Sequence, residues 1–450
     1  EASRRRIVAS AQTIQEGYAD AGEARQDIDQ LITNLEIDSD LLSHLQTVID
    51  SERRQIEGAV EAEAVDPEDA DIIDLVGMLF ERMLAEERLP NAVKALLSRL
   101  HTPYLKIGLL DKAFFMRSEH PARRLLDRMV DAGGQWVMED DLQRGIFPCL
   151  RETVDRIMED YAQDPELFEE LEQGLGSHLE ELEHKTGIIE NRAVEAATGQ
   201  ERLGQARRRA HAEIARIITE RHLHEEAAVH LTQVWAEKLM FILLRERDGE
   251  SNPAWKLATR VLQDIIESIE PPADPAECER RKARLPQMQT AIRESLGELS
   301  EYGRKDTPDL MKRIQAWQEA ACDPQSATHS TPVKLDVLDL TLPEEDTPAA
   351  SNLTALEQTH AEHLEQIDYG TWFQFTDEQN GRPRRLRLAW FSKLSKRYLF
   401  VDPMGVKAAE YTRDQLARHL AADTARIVQQ DTRPFVDRVM DTVLSWISDK

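Results

Sequence analysis

The sequence predicts a mainly α chain, with a large multi-helix region followed by a small α+β domain built on a β-barrel-like sheet. Three observations carry this. Apolar residues recur at spacings of three and four over residues 1–322, one stripe per helix. From about residue 371 the spacing changes to two, between turn residues. Aromatic residues are 6% of the 450-residue chain, which argues against an all-β protein.

In chain order, the first stripe holds Ile7, Ala11, Ile14, Ile28, Leu31, Ile32 and Leu35, and a second holds Leu75, Met78, Leu79, Met83 and Leu84. Pro67, Pro90, Pro103, Pro121, Gly133-Gly134, Pro148 and Pro165 punctuate the helices, with Gly133-Gly134 expected as a helix end and loop. Pro103 and Pro121 are expected to start two apolar helices joined by a short turn. Leu105, Leu109, Ala113 and Phe114 would be buried there, and Arg123 and Arg124 would form buried ion pairs with Asp127 and Asp131. Residues Pro103, Lys106, Asp111, Phe114, Phe115, His120, Pro121, Arg123 and Arg124 form the candidate helical-core motif, with a ligand or partner site as its other reading. From Glu166 to about Leu244 breakers are few, which predicts one or two long solvated helices carrying an acidic run, Glu180 to Glu183, and a basic run, Arg207 to Arg209.

Residues 323–352 are rich in Pro, Ser, Thr and acidic side chains and are expected to be an exposed linker that protease cuts first. Within it, Val333 to Leu340 mixes acidic and apolar residues, as a linker, a docked strand or a partner-binding peptide would. This divides the chain into a helical region, 1–322, the linker, 323–352, and a C-terminal domain, 353–450. In that last part a helix precedes a strand at Thr371–Phe375, and Asn380-Gly381 signals a hairpin. The next strand sets Leu386, Leu388 and Trp390 toward the core, with Arg385 and Arg387 outward. Three more strands follow. Thr412 is placed to cap a short helix, and residues 435–447 form a closing amphipathic helix. Arg382, Arg384, Arg385, Arg387, Lys393 and Arg397 make a candidate interaction face, basic in a chain of net charge -28.

That net charge repels nucleic acid and anionic lipid, so nucleic acid is excluded as a general partner. No uninterrupted apolar run approaches the ~20 residues of a membrane span. Cys149, Cys278 and Cys322 make no zinc or disulfide pattern, which fits a reducing, cytoplasmic setting. His222, His224, Glu225, Glu226 and His230 are the densest set of metal-ligand types, but a zinc-protease helix needs a second His four residues after His224, where Ala228 stands. The remaining metal arrangement would put His222, Glu226 and His230 on one helix face; the expectation is a plain surface helix. No P-loop, dinucleotide fingerprint or nucleophile elbow occurs. No catalytic residue, cofactor or metal is therefore nominated, and the protein is expected not to be an enzyme.

The run from Leu89-Pro90 through Arg99-Leu100, Pro103, Lys106, Asp111, Phe114-Phe115 and His120 to Leu126 resembles a bacterial family known as the domain of unknown function sixteen thirty-one. Val234-Trp235, Asn252-Pro253-Ala254-Trp255, Leu285-Pro286 and the tail motifs Gly370-Thr371-Trp372-Phe373, Leu388-Ala389-Trp390 and Phe400 to Gly405 extend the resemblance over residues 70–450. Members are longer at the N-terminus, so a start at Glu1-Ala2-Ser3 is expected to be a trimmed one. Some members carry the label thymidine phosphorylase, an activity that needs a Gly-rich phosphate site this sequence lacks. The tail resembles a PilZ-type barrel, the fold many bacteria use to sense cyclic di-GMP. Its ligand-binding motifs are degenerate: Leu386 stands four after Arg382, Lys393 and Arg397 keep the spacing with one arginine, and Asp402-Pro403-Met404-Gly405 lacks the serine. The resemblance implies a cytoplasmic regulatory protein whose partners are other proteins of bacterial signalling, near cyclic-di-GMP pathways. The alternative is a cyclic-dinucleotide receptor using the basic face, and an enzyme of unknown type stands third.

Overall fold

The computed structural model describes residues 67–138, 141–160, 165–246, 248–272, 275–302, 307–322, 331–333, 353–376, 383–428 and 433–448, with Val8, Ala9 and Thr47. Packing divides the chain into one unit of Glu1–Ala193, Thr354–Phe391 and Arg397–Lys450, and another of Val194–Leu353 with Ser392–Lys396. This differs from the division that composition suggests, because the C-terminal part joins the early helices in one unit.

The first unit begins with α1 (Pro67–Ala85), α2 (Asn91–Ser98), α3 (His101–Leu110), α4 (Ala113–Met116), α5 (Pro121–Trp136), α6 (Phe147–Asp160) and the opening of α7 (Pro165–Ile218). Proline at the first position of α5 fixes φ where the helix has no N–H to lose. The core gathers Phe80, Tyr104, Phe114 and Phe147, all fully buried. Phe80 meets Tyr104 edge-on at 6.2 Å, and Tyr104 meets Phe114 at 5.7 Å. Gly133-Gly134 is not a loop but lies inside α5. A Cβ at Gly133 would come within 2.5 Å of Val93, so glycine lets α5 and α2 approach closely. The ion pairs also differ from expectation. Arg123 pairs with Asp437, and Arg124 faces Glu172 at 3.6 Å. Asp127 instead accepts the backbone N–H of Val436 at 2.7 Å.

The remaining strands and helices of this unit are α12 (Ala355–Leu364), β3 (Trp372–Thr376), β4 (Pro383–Phe391), β5 (Arg397–Val401), β6 (Lys407–Thr412), α13 (Arg413–Ala421), β7 (Ala425–Val428) and α14 (Phe435–Ser448). The labels between belong to the second unit. The five strands form one antiparallel sheet in the order β6-β5-β4-β3-β7. Thr412 caps α13 with a reciprocal bond to Gln415, as its position predicts. One face of the sheet carries Phe373, Leu386, Leu388 and Phe400, all buried. Tyr398 reaches the carbonyl of Leu364 on α12 at 3.1 Å. Trp390 departs from its expected place. The β4–β5 register slips between Leu388 and Trp390, so the bulge brings Phe391 into the core and leaves Trp390 half-buried. Helix α14 leaves the sheet, and its Phe435, Val436, Val439 and Val443 enter the core of the early helices.

The second unit holds the rest of α7, β1 (His222–Leu223), α8 (Glu225–Arg245), α9 (Pro253–Ile269), α10 (Pro275–Glu298), α11 (Thr307–Ala321) and β2 (Thr331–Pro332). Asn252 caps α9 by accepting from Ala254 N–H at 2.7 Å. Helix α8 is long and apolar enough to cross a membrane by length and composition, although polar residues such as Thr232, Gln233, Glu237 and Lys238 interrupt its apolar run. Its Trp235, Leu239 and Ile242 are fully buried among α9 and its neighbours. β2 pairs antiparallel with β1, and Val333 beside it is buried and donates its N–H to Arg221 at 2.9 Å. The first residue of the acidic-apolar segment is thus docked; residues 334–350 lie outside the described residues, as does most of the linker.

Candidate functional site

Strand register builds the site. Gln374 of β3 lies opposite Arg385 of β4 and Arg426 of β7, so these three form one row across the outer face of the sheet. Trp372 lies between Arg387 and Val428 in the next row. The outer face turns toward the end of α1 and the turn into α2. There Arg385 donates Nη1 to the carbonyl of Arg88 at 2.8 Å and Nη2 to that of Glu87 at 2.9 Å. A longer bond, 3.4 Å, runs to Gly134 O in the last turn of α5. Carbonyls at a helix C-terminus have no partner within the helix, and a cation there also suits the helix dipole. Arg387 pairs with Glu190 of α7, with its guanidinium 5.8 Å from the Trp372 ring.

Around Arg385 opens a cavity of about 470 Å³. Arg82, Arg88, Arg385, Arg426 and Arg438 line it, with Phe435 and Val439 as apolar wall. Two carboxylates, Glu86 and Glu87, stand against the five arginines. Glu86 takes Arg88 at 3.1 Å and Arg438 at 3.0 Å, and Glu87 takes Arg426 at 3.2 Å. Burial pushes Glu86 toward its neutral form, but the two arginines outweigh it and hold the carboxyl below its usual range. Burial first, then Arg88, lowers the affinity of Arg385 for its proton, with Arg426 adding to the effect. The local field is therefore in excess positive. Nε and Nη2 of Arg438 are buried with no hydrogen-bond partner among the described residues. A smaller recess of about 250 Å³ continues past Arg385 to Asp131 and Trp372. Burial foremost raises the Asp131 pKa.

The candidate interaction face does not stay together. Arg385 and Arg387 are engaged with the helices, as above. Arg384 is exposed at the start of β4, with the parity of Leu386 rather than of Arg385. Lys393 is exposed in the turn after β4, and Arg397 pairs with Glu410 at 3.2 Å. Arg382 lies outside the described residues. The helical-core motif does converge, as a hairpin. Pro103 and Lys106 are buried in α3, Pro121 opens α5, and Phe114 is in the core with Phe115 against it. Asp111 accepts from Ala113 N–H at 2.8 Å and faces His120 Nε2 at 3.5 Å. Burial first, with Arg123 adding, lowers the His120 pKa against the pull of Asp111. Of the histidine cluster, His222 lies in β1 rather than on the helix, and His230 packs edge-on to Trp317 at 5.9 Å. Among the described residues no three His, Cys, Asp or Glu side chains gather as a metal site.

Sequence reasoning missed Arg82, Arg88, Arg426 and Arg438, which come from three separate elements and one turn. Parity could have placed Arg426 on an outer face, but its row depends on a register that no single strand reveals.

The description Protein of unknown function (DUF1631) 2nd domain matches residues 12–164, the third domain of the same name matches 196–327, and its C-terminal tudor domain matches 359–428. No curated protein and no solved structure matches. The tail is thus matched as a tudor domain, and neither the PilZ-type likeness nor the thymidine phosphorylase label is confirmed.

Proposed function

The chain belongs to the DUF1631 family, and we propose that it is a non-catalytic regulatory protein that acts by binding other proteins, with the arginine-lined cleft as the site where binding is controlled. A place in bacterial signalling is part of this proposal and rests on the resemblance of the tail to PilZ-type barrels. The observation that carries the reading is the cleft itself. Five arginines surround an open cavity in a protein of net charge -28. In a chain this acidic overall, a cleft with an excess of arginines is a place where an acidic group can be held. Its walls come from α1, the sheet and α14, so occupancy bears directly on how the sheet is held to the helices.

The test is quantitative affinity capture at matched salt, with wild type against Arg82→Glu with Arg426→Glu. Both side chains are exposed, so the fold is expected to survive, and a thermal melt checks it. Partner proteins retained by wild type and lost from the folded variant support the reading. Capture indifferent to the charge reversal overturns it.

A further inference from the structure

We propose that the cleft binds a small phosphate-bearing organic molecule, with Arg82, Arg426 and Arg438 around the phosphoryl oxygens and its apolar part against Phe435 and Val439. This rests on the cleft being the control site, and names the chemistry of what fills it.

Four observations lead there. The first is the geometry of the donors. Arg82 comes from α1, Arg426 from β7 and Arg438 from α14, so guanidinium groups enter from three elements. A carboxylate is planar and is satisfied by one fork, whereas a phosphoryl group has oxygens in several directions and suits several forks. The second is the orphaned chemistry of Arg438. Glu86 occupies its Nη1, while its Nε and Nη2 are buried without an acceptor among the described residues. Both belong to a charged group, for which an unmet hydrogen bond is least tolerable; both are covered, so the side chain meets a phosphoryl oxygen by turning from Phe435 toward the cavity. The third is size and lining. A cavity of about 470 Å³ is larger than a phosphate needs and within the range of small-molecule sites. Phe435, Val439 and Ile427 give it an apolar wall, and the Arg438 guanidinium lies 5.7 Å from the Phe435 ring. The fourth is net charge. A chain at -28 repels an extended polyanion, which selects a small phosphate ligand over nucleic acid.

The experiment is calorimetric titration of the full chain at fixed ionic strength with AMP, inorganic pyrophosphate and adenosine as probes. AMP and pyrophosphate should bind with dissociation constants below about 1 mM, and adenosine should not bind. Arg82→Gln with Arg426→Gln should weaken AMP by at least about tenfold while leaving the melting temperature in place. Arg438→Lys, which keeps the charge and loses the fork, should weaken it too, and serves if the double variant does not fold. Absence of AMP and pyrophosphate binding at about 1 mM, or equal binding to the folded variants, overturns the proposal. If phosphates fail while protein capture still depends on cleft charge, the ligand class is wrong and the cleft reading stands. If capture is indifferent to charge while AMP binding needs the arginines, the functional reading falls and this one stands.

Discussion

Lys238 and Arg385 do the same job in the two units, and the difference between their surroundings separates structure from function. Lys238, in α8 of the second unit, is buried and donates Nζ to the carbonyls of Tyr302 at 3.0 Å and Leu299 at 3.4 Å. Arg385, in the sheet of the first unit, donates to three carbonyls of the early helices. Each cation donates to main-chain oxygens at the end of a helix or turn, and Leu299 O also accepts Tyr302 N–H at 3.1 Å. Lys238 is 3% exposed, in the unit whose core holds Trp235, Leu239 and Leu299. Around Arg385 the packing opens into a cavity with four more arginines. A sealed cation holds a fold together. A cation of the same kind at the rim of a charged cavity also sets a field that a ligand can read. The sequence distances differ as well. Lys238 reaches about sixty residues, while Arg385 reaches between 251 and 298, so the first unit closes through its two ends.

The hardest test of the closed character of the second unit is Trp235→Ala. The ring is fully buried, and its Nε1–H donates to Ala258 O at 2.7 Å. Losing a buried Trp costs about 3–5 kcal/mol, while Ala258 O, inside α9, keeps its helical partner. Urea denaturation followed by probes in each unit should show residues 194–322 unfolding first. A loss below about 1 kcal/mol would show that this core is looser than its packing implies.

A smaller effect, but one that discriminates, comes from Arg385→Ala beside Lys238→Ala. Each removes a charged donor from main-chain carbonyls, at about 1–3 kcal/mol. Lys238→Ala should lower stability with no other consequence. Arg385→Ala should in addition speed amide hydrogen exchange at residues 85–90, where its acceptors lie, while exchange in β5 stays slow. Equal protection of 85–90 in both variants would mean that Arg385 does not hold the sheet to the helices.

How much of this could be read in the sequence follows from range. The helical region, the five strands and the cap at Thr412 were legible, because periodicity and turn residues act within a few positions. Arg385 and Arg387 were legible as an outward pair. Their acceptors were not, since Glu190 and the carbonyls of residues 87, 88 and 134 lie about 200–300 residues away. The Trp390 error has the same origin. Strict alternation predicts Leu386, Leu388, Trp390, and the bulge that replaces Trp390 by Phe391 arises from pairing with β5. Gly133-Gly134 misled for a tertiary reason, as glycine there serves close approach to Val93 inside a continuing helix. The division of the chain was illegible because nothing in the composition of α14 says that its apolar stripe belongs to helices more than 300 residues earlier.

Gly405→Ala sharpens the contrast at lower cost. Gly405 has φ +78°, and a Cβ there would come within 2.6 Å of Thr186 O on α7. The turn between β5 and β6 must therefore give way in two respects, backbone strain and helix approach. A loss of about 1–3 kcal/mol is expected, with exchange rising around Thr186. A neutral substitution would show that the turn does not bear on α7.

The smallest effect at neutral pH, and the one with a sign to check, belongs to Asp127→Asn. Asp127 of α5 accepts Val436 N–H at the start of α14, so it joins the last helix to the early ones. Burial foremost pushes its pKa up to about 6 from 3.8, against the pull of the Val436 bond and Arg123, while Asp131 and Asp437 push the same way as burial. Between pH 3.8 and about 6 the native state holds this proton and the unfolded chain has released it. Stability from this group is thus greatest below 3.8 and is lost as pH rises through about 6. Asparagine keeps the carbonyl acceptor and does not titrate. At pH 7 it escapes the burial of a charge, and because that cost outweighs the attraction to Arg123 in raising the Asp127 pKa, the variant is expected to be the more stable there. Relative to wild type, the variant should gain about 1–2 kcal/mol between pH 4 and pH 7, from about 1.4 kcal/mol per pKa unit reduced for partial exposure. Urea melts at several pH values across that window measure it. Parallel curves for the two proteins would mean that Asp127 is ionised throughout and that α14 is docked by its apolar stripe and the Arg123–Asp437 pair. A difference of opposite sign would place the charged carboxylate among the groups that hold α14 in place.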